Sequence, residues 1–147
     1  MLARSDFQQL VAHAPLVSID LVLHNRQGQY LLGLRTNRPA QGFWFVPGGR
    51  IYKNEPLAQA FARLTQVELG QSFDIAQARL LGAYDHFYSD SVFGDEPSTH
   101  YVALGYSLLV PDTLNLPPDQ HSQYQWLTRD QLLAHPMVHA NTKAYLA

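Results

Sequence analysis

The sequence predicts a mixed α/β fold, and three features of the chain support this prediction. Every second residue from Val17 to Leu23 is a large aliphatic one, with Asp20 on the opposite face, as in a strand. Residues 55–70 instead repeat apolar side chains at the spacing of an amphipathic helix. The chain contains no internal repeat, low-complexity tract or linker. We therefore expect residues 1–147 to form one domain around a common core.

Turn residues and aromatic runs predict the next elements. The strand from Leu16 to Leu23 is followed by the turn signal Asn25–Gly28, and Tyr30–Leu34 then returns as the second strand of a hairpin. The aromatic run Phe43–Val46 predicts a third strand, which Pro47–Gly49 ends in a special backbone turn.

Helix-terminating residues define the rest of the chain. The helix predicted over Glu55–Gly70 has a proline in its first turn and Gly70 as its C-terminal stop. Thr128, with Gln131 three residues later, predicts a capping box that starts a short helix. The segment from Val138 onward is expected to be helical too. Three further strands are expected near Leu80–Tyr84, Tyr101–Val110 and Tyr124–Leu127.

The composition excludes several classes of protein. A net charge of -2 with 15% charged residues indicates neither a nucleic-acid-binding surface nor an acidic tail. The absence of cysteine excludes disulfides, thiolate catalysis and a cysteine-based zinc site, but leaves open a cation held by oxygen ligands. The first 15 residues contain no continuous apolar stretch, and no later run reaches membrane-spanning length. We therefore expect a cytoplasmic protein.

One carboxylate of the predicted helix points towards the core. Leu57, Ala60, Phe61 and Leu64 form the apolar stripe, and Glu68 falls near its middle because it follows Leu64 by one helical turn. A buried charge is costly unless it is paired or coordinates a metal. Two alternatives remain on periodicity alone: an ion pair with Arg63, or a stripe rotated enough to expose Glu68.

The residues around this helix resemble the Nudix box, G-x5-E-x7-R-E-U-x-E-E-x-G-U, in which U is aliphatic. The matching positions are Gly49, Glu55 and Arg63, followed by Glu68-Leu69-Gly70, over 22 residues. The resemblance implies the Nudix fold, a mixed sheet between helices, in which a loop, helix and loop hold Mg²⁺ against a diphosphate. Leu64 and Val67 stand where the box has two further glutamates. An inactive Nudix domain is one reading of this loss.

The same departures are normal in GDP-mannose mannosyl hydrolases, a Nudix branch that the chain resembles over nearly its whole length. The stretches that carry this likeness are Pro15–Ser18, Gly33–Gly42, Trp44–Arg50, Thr99–Val102 and His139–Asn141. The branch hydrolyses nucleotide sugars, and the resemblance implies one Mg²⁺ per subunit, which Mn²⁺ can replace. Its ligands would be the Gly48 carbonyl, Glu68 and Gln120.

The resemblance also assigns the residues that act on substrate. His121 would be the general base for the attacking water, a task that suits an imidazole near neutral pH. Arg35 and Arg50 would bind the diphosphate and stabilise the charge of the leaving group. Asp20, His86 and Tyr101 match positions that contact the nucleotide sugar, although each of these side chains also suits a structural hydrogen bond.

The reaction implied is the attack of water on the anomeric carbon of GDP-mannose, or of GDP-glucose, with inversion and release of GDP. Two alternatives stay open: an ordinary diphosphatase that yields GMP and mannose 1-phosphate, and a catalytically silent nucleotide-sugar sensor. The segment Tyr84–Phe93 is rich in aromatic residues for a loop. Because aromatic residues are enriched at interfaces, it predicts a homodimer with this loop near the active site, although a loop folded onto its own subunit is the alternative.

Overall fold

A computed structural model of the chain describes residues 2–117 and 123–147. Four α-helices lie among these residues: α1 (Arg4–His13), α2 (Leu57–Leu69), α3 (Arg129–Ala134) and α4 (Ala140–Lys143). The strands are β1 (Leu16–His24), β2 (Gln29–Leu34), β3 (Trp44–Phe45), β4 (Gly48–Arg50), β5 (Arg79–Tyr88), β6 (Thr99–Leu109) and β7 (Tyr124–Thr128). A short 3₁₀ helix, Ile75–Gln77, precedes β5.

Strand β1 is the centre of a seven-stranded mixed sheet. It pairs in parallel with β6 along its whole length and antiparallel with β2 and β4 on its other side. The order along the main path is β3-β2-β1-β6-β5, while β7 pairs with β2. Strand β5 is therefore the last strand at one end of this path.

Both faces of the sheet are covered, as the mixed α/β prediction requires. On one face Ile19, Leu21 and Leu23 of β1 pack in a core with Phe61 and Leu69 of α2. On the other face Val22 belongs to a second core that includes residues of the C-terminal segments. These partners are Leu132, Val138 and Tyr145. Because both faces of β1 are buried at these positions, its alternation is less regular than that of a half-exposed strand.

The helix caps behave as the sequence predicts. Gly70 ends α2 in a left-handed conformation with φ of 74°, which glycine adopts without a Cβ penalty. Thr128 and Gln131 form a reciprocal capping box at α3. Helix α2 starts at Leu57 rather than at Glu55, and Leu57 is 45% exposed, so the prediction that it belongs to the buried stripe is wrong.

Three other sequence predictions need correction. Helix α1 was not predicted, because a single buried side chain, Val11, gives it little apolar periodicity. Gly48 and Gly49 form strand β4 rather than a turn, because β1 offers them an edge to pair with. The first half of the aromatic segment, through Tyr88, is not a loop but part of β5.

No helix within residues 2–117 and 123–147 has both the length and the apolar character needed to cross a bilayer.

Candidate active site

A cleft of about 240 Å³ opens beside β1 and β4 at the C-terminal end of α2. It brings together seven of the residues that the sequence singled out, which come from six different segments of the chain. These residues are Asp20, Arg35, Gly48, Arg50, Glu68, His86 and Tyr101. Convergence of charged and polar side chains in one concave site is the usual property of a ligand-binding cleft.

Two glycines let β4 lie close against its neighbours. A Cβ at Gly48 would collide with the carbonyl oxygen of Ile19 and would lie 2.8 Å from Oδ1 of Asp20. A Cβ at Gly49 would lie 2.5 Å from Cδ2 of Leu64, on the opposite side of the strand. Close packing of β4 against β1 therefore requires glycine at position 48, while a Cβ at position 49 would displace the buried side chain of Leu64.

Glu68 is buried at the cleft, with 7% of its surface exposed. Its Oε1 accepts a hydrogen bond of 3.4 Å from the backbone N–H of Gly48. Its Oε2 is buried and has no hydrogen-bond partner among the described residues. Burial raises the pKa of Glu68 to about 7, although Gly48 and the nearby Arg35 oppose this shift. The sequence prediction that Glu68 points inward is confirmed.

Arg63 does not pair with Glu68, so that alternative is wrong. Its guanidinium forms a two-point ion pair with Glu55, with N–O distances of 2.7 and 2.9 Å. The same group donates to the carbonyl oxygen of Arg50 at 2.9 Å. The hydrogen bond from Arg63 lowers the pKa of Glu55, which therefore stays ionised at neutral pH. These two residues join α2 to the end of β4 and leave Glu68 free to face the cleft.

Asp20 lies on β1, opposite Gly48 of β4, and its carboxylate accepts a hydrogen bond from a distant residue, Tyr145. The hydroxyl of Tyr145 donates to its Oδ2 at 2.7 Å. Burial raises the pKa of Asp20 to about 6, so its carboxylate is largely ionised at neutral pH. Nδ1 of His86 lies 3.8 Å from the same oxygen. Burial lowers the pKa of His86 to about 4, so this contact is not an ion pair at neutral pH.

The two arginines predicted to bind a diphosphate are both oriented by aromatic rings. The Arg35 guanidinium lies 5.5 Å from the ring centroid of Phe45, and its Nε donates to the Asn37 carbonyl at 3.3 Å. The Arg50 guanidinium lies between Phe7 of α1 and Tyr52, at 4.8 and 4.9 Å from their ring centroids. Cation–π contacts of this kind restrict an arginine while its N–H groups stay available to a ligand.

A layer of aromatic side chains behind Arg35 was not predicted. His139 stacks on Phe45 with a centroid distance of 4.8 Å, and Tyr88 lies 5.4 Å from the His139 ring. Nδ1 of His139 accepts a hydrogen bond from the backbone N–H of Asn141. Burial, together with the Arg35 charge, lowers the pKa of His139. The stretch His139–Asn141 had been noted in the sequence, but nothing local indicated that it packs behind Phe45.

Tyr101 and His86 are direct neighbours across the β5–β6 pair. Both line the cleft, and burial raises the pKa of Tyr101 above its ordinary value, so its hydroxyl is protonated at neutral pH. Gln120 and His121, the other predicted ligand and the predicted base, lie outside the described residues. Within the described residues no group of three or more histidine, aspartate or glutamate side chains is arranged to hold a metal ion.

Comparison with known proteins agrees with this architecture. The chain is 41% identical to the low-salt glycan biosynthesis protein Agl8 of Haloferax volcanii over 134 residues, which cover 90% of this chain and 83% of that protein. A MutT NUDIX hydrolase from Burkholderia pseudomallei is 29% identical, with a TM-score of 0.73 over 91% of this chain and 97% of that one.

A third similar protein has been solved with a ligand. The NUDIX domain of Shewanella oneidensis NrtR, complexed with ADP ribose, is 20% identical, with a TM-score of 0.66 over 98% of this chain and 96% of that one. The NUDIX domain profile matches residues 14–147, from just before β1 to the end of the chain. The sheet between helices is the Nudix fold, and the chain belongs to the NUDIX hydrolase family.

Proposed function

We propose that this protein hydrolyses GDP-mannose, or GDP-glucose, to GDP and the free sugar. The observation that carries the proposal is where the side chains lie at the two box positions that lack glutamate. Leu64 is buried in the core against Gly49, and Val67 is 43% exposed, so neither supplies a carboxylate to the cleft. Glu68 is the only acidic side chain of α2 that lines it. One carboxylate suits a reaction at the sugar carbon better than the assisted attack of water on phosphorus.

The oxygen atoms of Gly48 and Glu68 suit a divalent cation. Oε2 of Glu68 is a buried acceptor without a donor among the described residues, and Mg²⁺ prefers such oxygen ligands. The Gly48 carbonyl and Gln120 would complete the set of protein ligands, and Mn²⁺ is the expected substitute. Bound Mg²⁺ supplies positive charge next to the diphosphate and so stabilises it as a leaving group.

Arg35 and Arg50 line the same cleft as Glu68 and bind the diphosphate in this proposal. Their aromatic contacts fix the direction of both guanidinium groups before substrate arrives. A preorganised pair of charges stabilises the negative charge that grows on the departing diphosphate. Because GDP leaves as an anion, the reaction needs no general acid.

The sugar lies towards Asp20, His86 and Tyr101, which project from the neighbouring strands β1, β5 and β6. A carboxylate, a neutral imidazole and a hydroxyl can together donate to and accept from sugar hydroxyl groups. His121 takes the proton of the attacking water. The oxygen of that water bonds to the anomeric carbon while the bond from that carbon to the diphosphate oxygen breaks, which inverts the configuration.

Two relatives support a nucleoside diphosphate sugar as substrate. The Haloferax volcanii protein is a low-salt glycan biosynthesis protein, and glycans in general are assembled from activated sugars. The Shewanella oneidensis domain binds ADP ribose, in which a diphosphate also joins a nucleoside to a sugar. At 20% identity the second case supports only that this fold accommodates such a molecule.

The position of the ¹⁸O label after hydrolysis in H₂¹⁸O tests the proposal. Hydrolysis of GDP-mannose with Mg²⁺ is expected to place the label in free mannose and to leave GDP unlabelled. A diphosphatase would put the label into GMP or mannose 1-phosphate, and that outcome would replace the proposed reaction with attack on phosphorus. If no nucleotide sugar is hydrolysed with Mg²⁺ or Mn²⁺, a binding role becomes the better description.

The protein acts as a homodimer in this proposal. Strand β5 ends the main path of the sheet, and Phe87 on it is 67% exposed and stacks on His100 at 4.4 Å. His86, the preceding residue, lines the cleft. An interface over Phe87 would therefore lie on the same strand as part of the active site.

A further inference from the structure

Asp20 lies between two glycines in the sheet. Its partner in the antiparallel pair with β4 is Gly48, and its partner in the parallel pair with β6 is Gly105. Residues that are direct partners across strands point their side chains to the same face, so the Asp20 side chain has no Cβ atom on either flank. The carboxylate therefore lies in a gap in the sheet surface that another segment of the chain or a ligand can fill.

The ring of Tyr145 fills the gap above Gly105. A Cβ at Gly105 would collide with Cε1 of Tyr145 and would lie 2.9 Å from its Cδ1. Tyr84 packs edge-on against the same ring at 4.6 Å. Tyr145 is 9% exposed, so the ring is held on several sides by the core. This packing directs the hydroxyl to Oδ2 of Asp20 at 2.7 Å.

We propose that Tyr145 is a positioning residue that fixes the orientation of the Asp20 carboxylate towards the sugar. This inference rests on the proposed function, in which Asp20 contacts the sugar of a nucleoside diphosphate sugar. The hydroxyl engages one carboxylate oxygen, while the close approach of Gly48 confines the other. A hydrogen bond from a neutral donor to a buried carboxylate is strong and directional. The last turn of the chain is thereby part of the active site, although Tyr145 does not itself line the cleft.

The alternative is that Tyr145 only fills the core. It belongs to the core cluster that includes Val22 and Leu32, and in that case the ring would matter but not the hydroxyl. Tyr145→Phe separates the two cases, because it keeps the ring and removes one donor. The positioning role predicts a loss in kcat/KM for GDP-mannose of roughly 10- to 100-fold, the usual cost of a hydrogen bond to a charged group.

A comparison of two ligands supplies a readout that a structural role would not change. GDP lacks the sugar, so its affinity with Mg²⁺, measured by calorimetry, is expected to stay within about twofold in Tyr145→Phe. The affinity for GDP-mannose is expected to fall, which appears as a higher KM where the protein hydrolyses it. Equal losses for GDP and GDP-mannose would overturn the positioning role, because they would indicate a general disturbance of the cleft.

Tyr106→Phe is the matched control. Tyr106 is a buried tyrosine of β6 whose ring packs on Phe61, in the other core, and it does not line the cleft. This variant is expected to hydrolyse and bind GDP-mannose like the wild type. Gly105→Ala offers a second route to the same effect, because it keeps the Tyr145 hydroxyl but displaces the ring. It should reproduce the loss seen in Tyr145→Phe if it folds.

A double-mutant cycle with Asp20→Asn completes the test. If Tyr145 acts through Asp20, Tyr145→Phe should lower kcat/KM for GDP-mannose, or its affinity if no hydrolysis occurs, much less in the Asp20→Asn background than in the wild type. Additive losses, or wild-type kinetics and binding in Tyr145→Phe, would overturn the inference. If the wild type binds GDP-mannose without hydrolysing it, the proposed function fails alone and the binding cycle still decides the role of Tyr145. A wild type that does not bind GDP-mannose would overturn both.

Discussion

The backbone N–H of Gly48 donates to Oε1 of Glu68 at 3.4 Å, and this bond joins the last turn of α2 to the strand beside Asp20. It orients the carboxylate while the other oxygen, Oε2, is left buried without a donor among the described residues. Such an arrangement is costly for the metal-free protein and favourable once a cation binds. The effect of Glu68 on stability can be measured without metal, and its effect on activity with Mg²⁺ present.

The first prediction concerns stability without metal. The pKa of Glu68 is about 7 in the fold, against an ordinary value of 4.5, so folding favours its protonated form. The resulting stability is fully present below pH 4.5 and is lost as the pH rises through 7. At about 1.4 kcal/mol per pH unit the loss is about 3 kcal/mol. Residue 68 does not titrate in Glu68→Gln. The free energy of unfolding of this variant minus that of the wild type should therefore increase by about 3 kcal/mol between pH 4.5 and pH 8.

Urea denaturation with EDTA across this range measures the effect. His86 titrates in the opposite sense, because its pKa is lowered to about 4 and its charging below pH 6.5 destabilises the fold. The pKa of Asp20 is raised to about 6, so its contribution to stability is lost with rising pH, as for Glu68. Both groups remain in the variant, so their contributions cancel in the difference between the two proteins. Parallel stability curves would contradict the burial of an uncompensated Glu68.

The second prediction concerns the metal. At pH 8, Mg²⁺ should raise the Tm of the wild type, because binding to the folded state alone stabilises it. Glu68→Gln should show little of this increase, and its turnover should fall by orders of magnitude at ordinary Mg²⁺ concentrations. Thermal scans with and without Mg²⁺ and steady-state kinetics are the measurements. Full activity in the variant would remove Glu68 from the site.

The sequence predicted those features of the site that depend on local periodicity. The position of Glu68 on α2 follows from the helical repeat, and the end of α2 follows from Gly70, whose conformation suits glycine. The pairing of Tyr145 with Asp20 joins residues 125 positions apart, and neither has a local pattern that indicates the other. Strand β4 was not predicted for a similar reason. Two glycines have low strand propensity, and they pair here only because β1 lies beside them.

The third prediction concerns the close approach of β4 to α2. Gly49→Ala places a Cβ 2.5 Å from Cδ2 of Leu64, and the resulting strain should cost about 1–3 kcal/mol of stability. Leu64→Ala alone leaves a cavity and should cost about 2–5 kcal/mol. The double variant removes the atom that clashes, so its loss should be smaller than the sum of the two single losses.

Denaturant unfolding of the four proteins measures this coupling. Gly49→Ala combined with Leu132→Ala is the control, because Leu132 is an equally buried leucine in the other core. That pair should be additive within about 0.5 kcal/mol. Additivity in the Gly49–Leu64 pair would contradict the contact between β4 and α2.

The fourth prediction concerns assembly. The wild type is expected to be a dimer by light scattering at micromolar concentration, and Phe87→Ser should shift it towards the monomer because it removes an exposed aromatic contact. Leu109→Ser is the control, since Leu109 is 54% exposed at the far end of β6. A monomeric wild type, or equal effects of the two variants, would remove the proposed interface.

The fifth prediction identifies the general base through its pH profile. His86, which lines the cleft, and His139, which stacks on Phe45, are poor candidates, because burial lowers the pKa of both. At saturating Mg²⁺ the cation would hold Glu68 ionised, so a rise of kcat with pH above the Asp20 pKa of about 6 should come from another group, and the resemblance assigns His121. His121→Asn should lower kcat by roughly 10²- to 10⁴-fold, the usual contribution of a general base.

The remaining activity of His121→Asn should no longer rise with pH near neutrality, while GDP-mannose affinity changes little. His100→Asn is the matched control, because His100 is partly exposed and hydrogen-bonds Asp85 away from the cleft. It should keep both the rate and the profile of the wild type. If the rise persists in His121→Asn and disappears in His86→Asn or His100→Asn, the base is that histidine instead. Stopped assays of GDP release over the pH range in which the protein stays folded distinguish these outcomes.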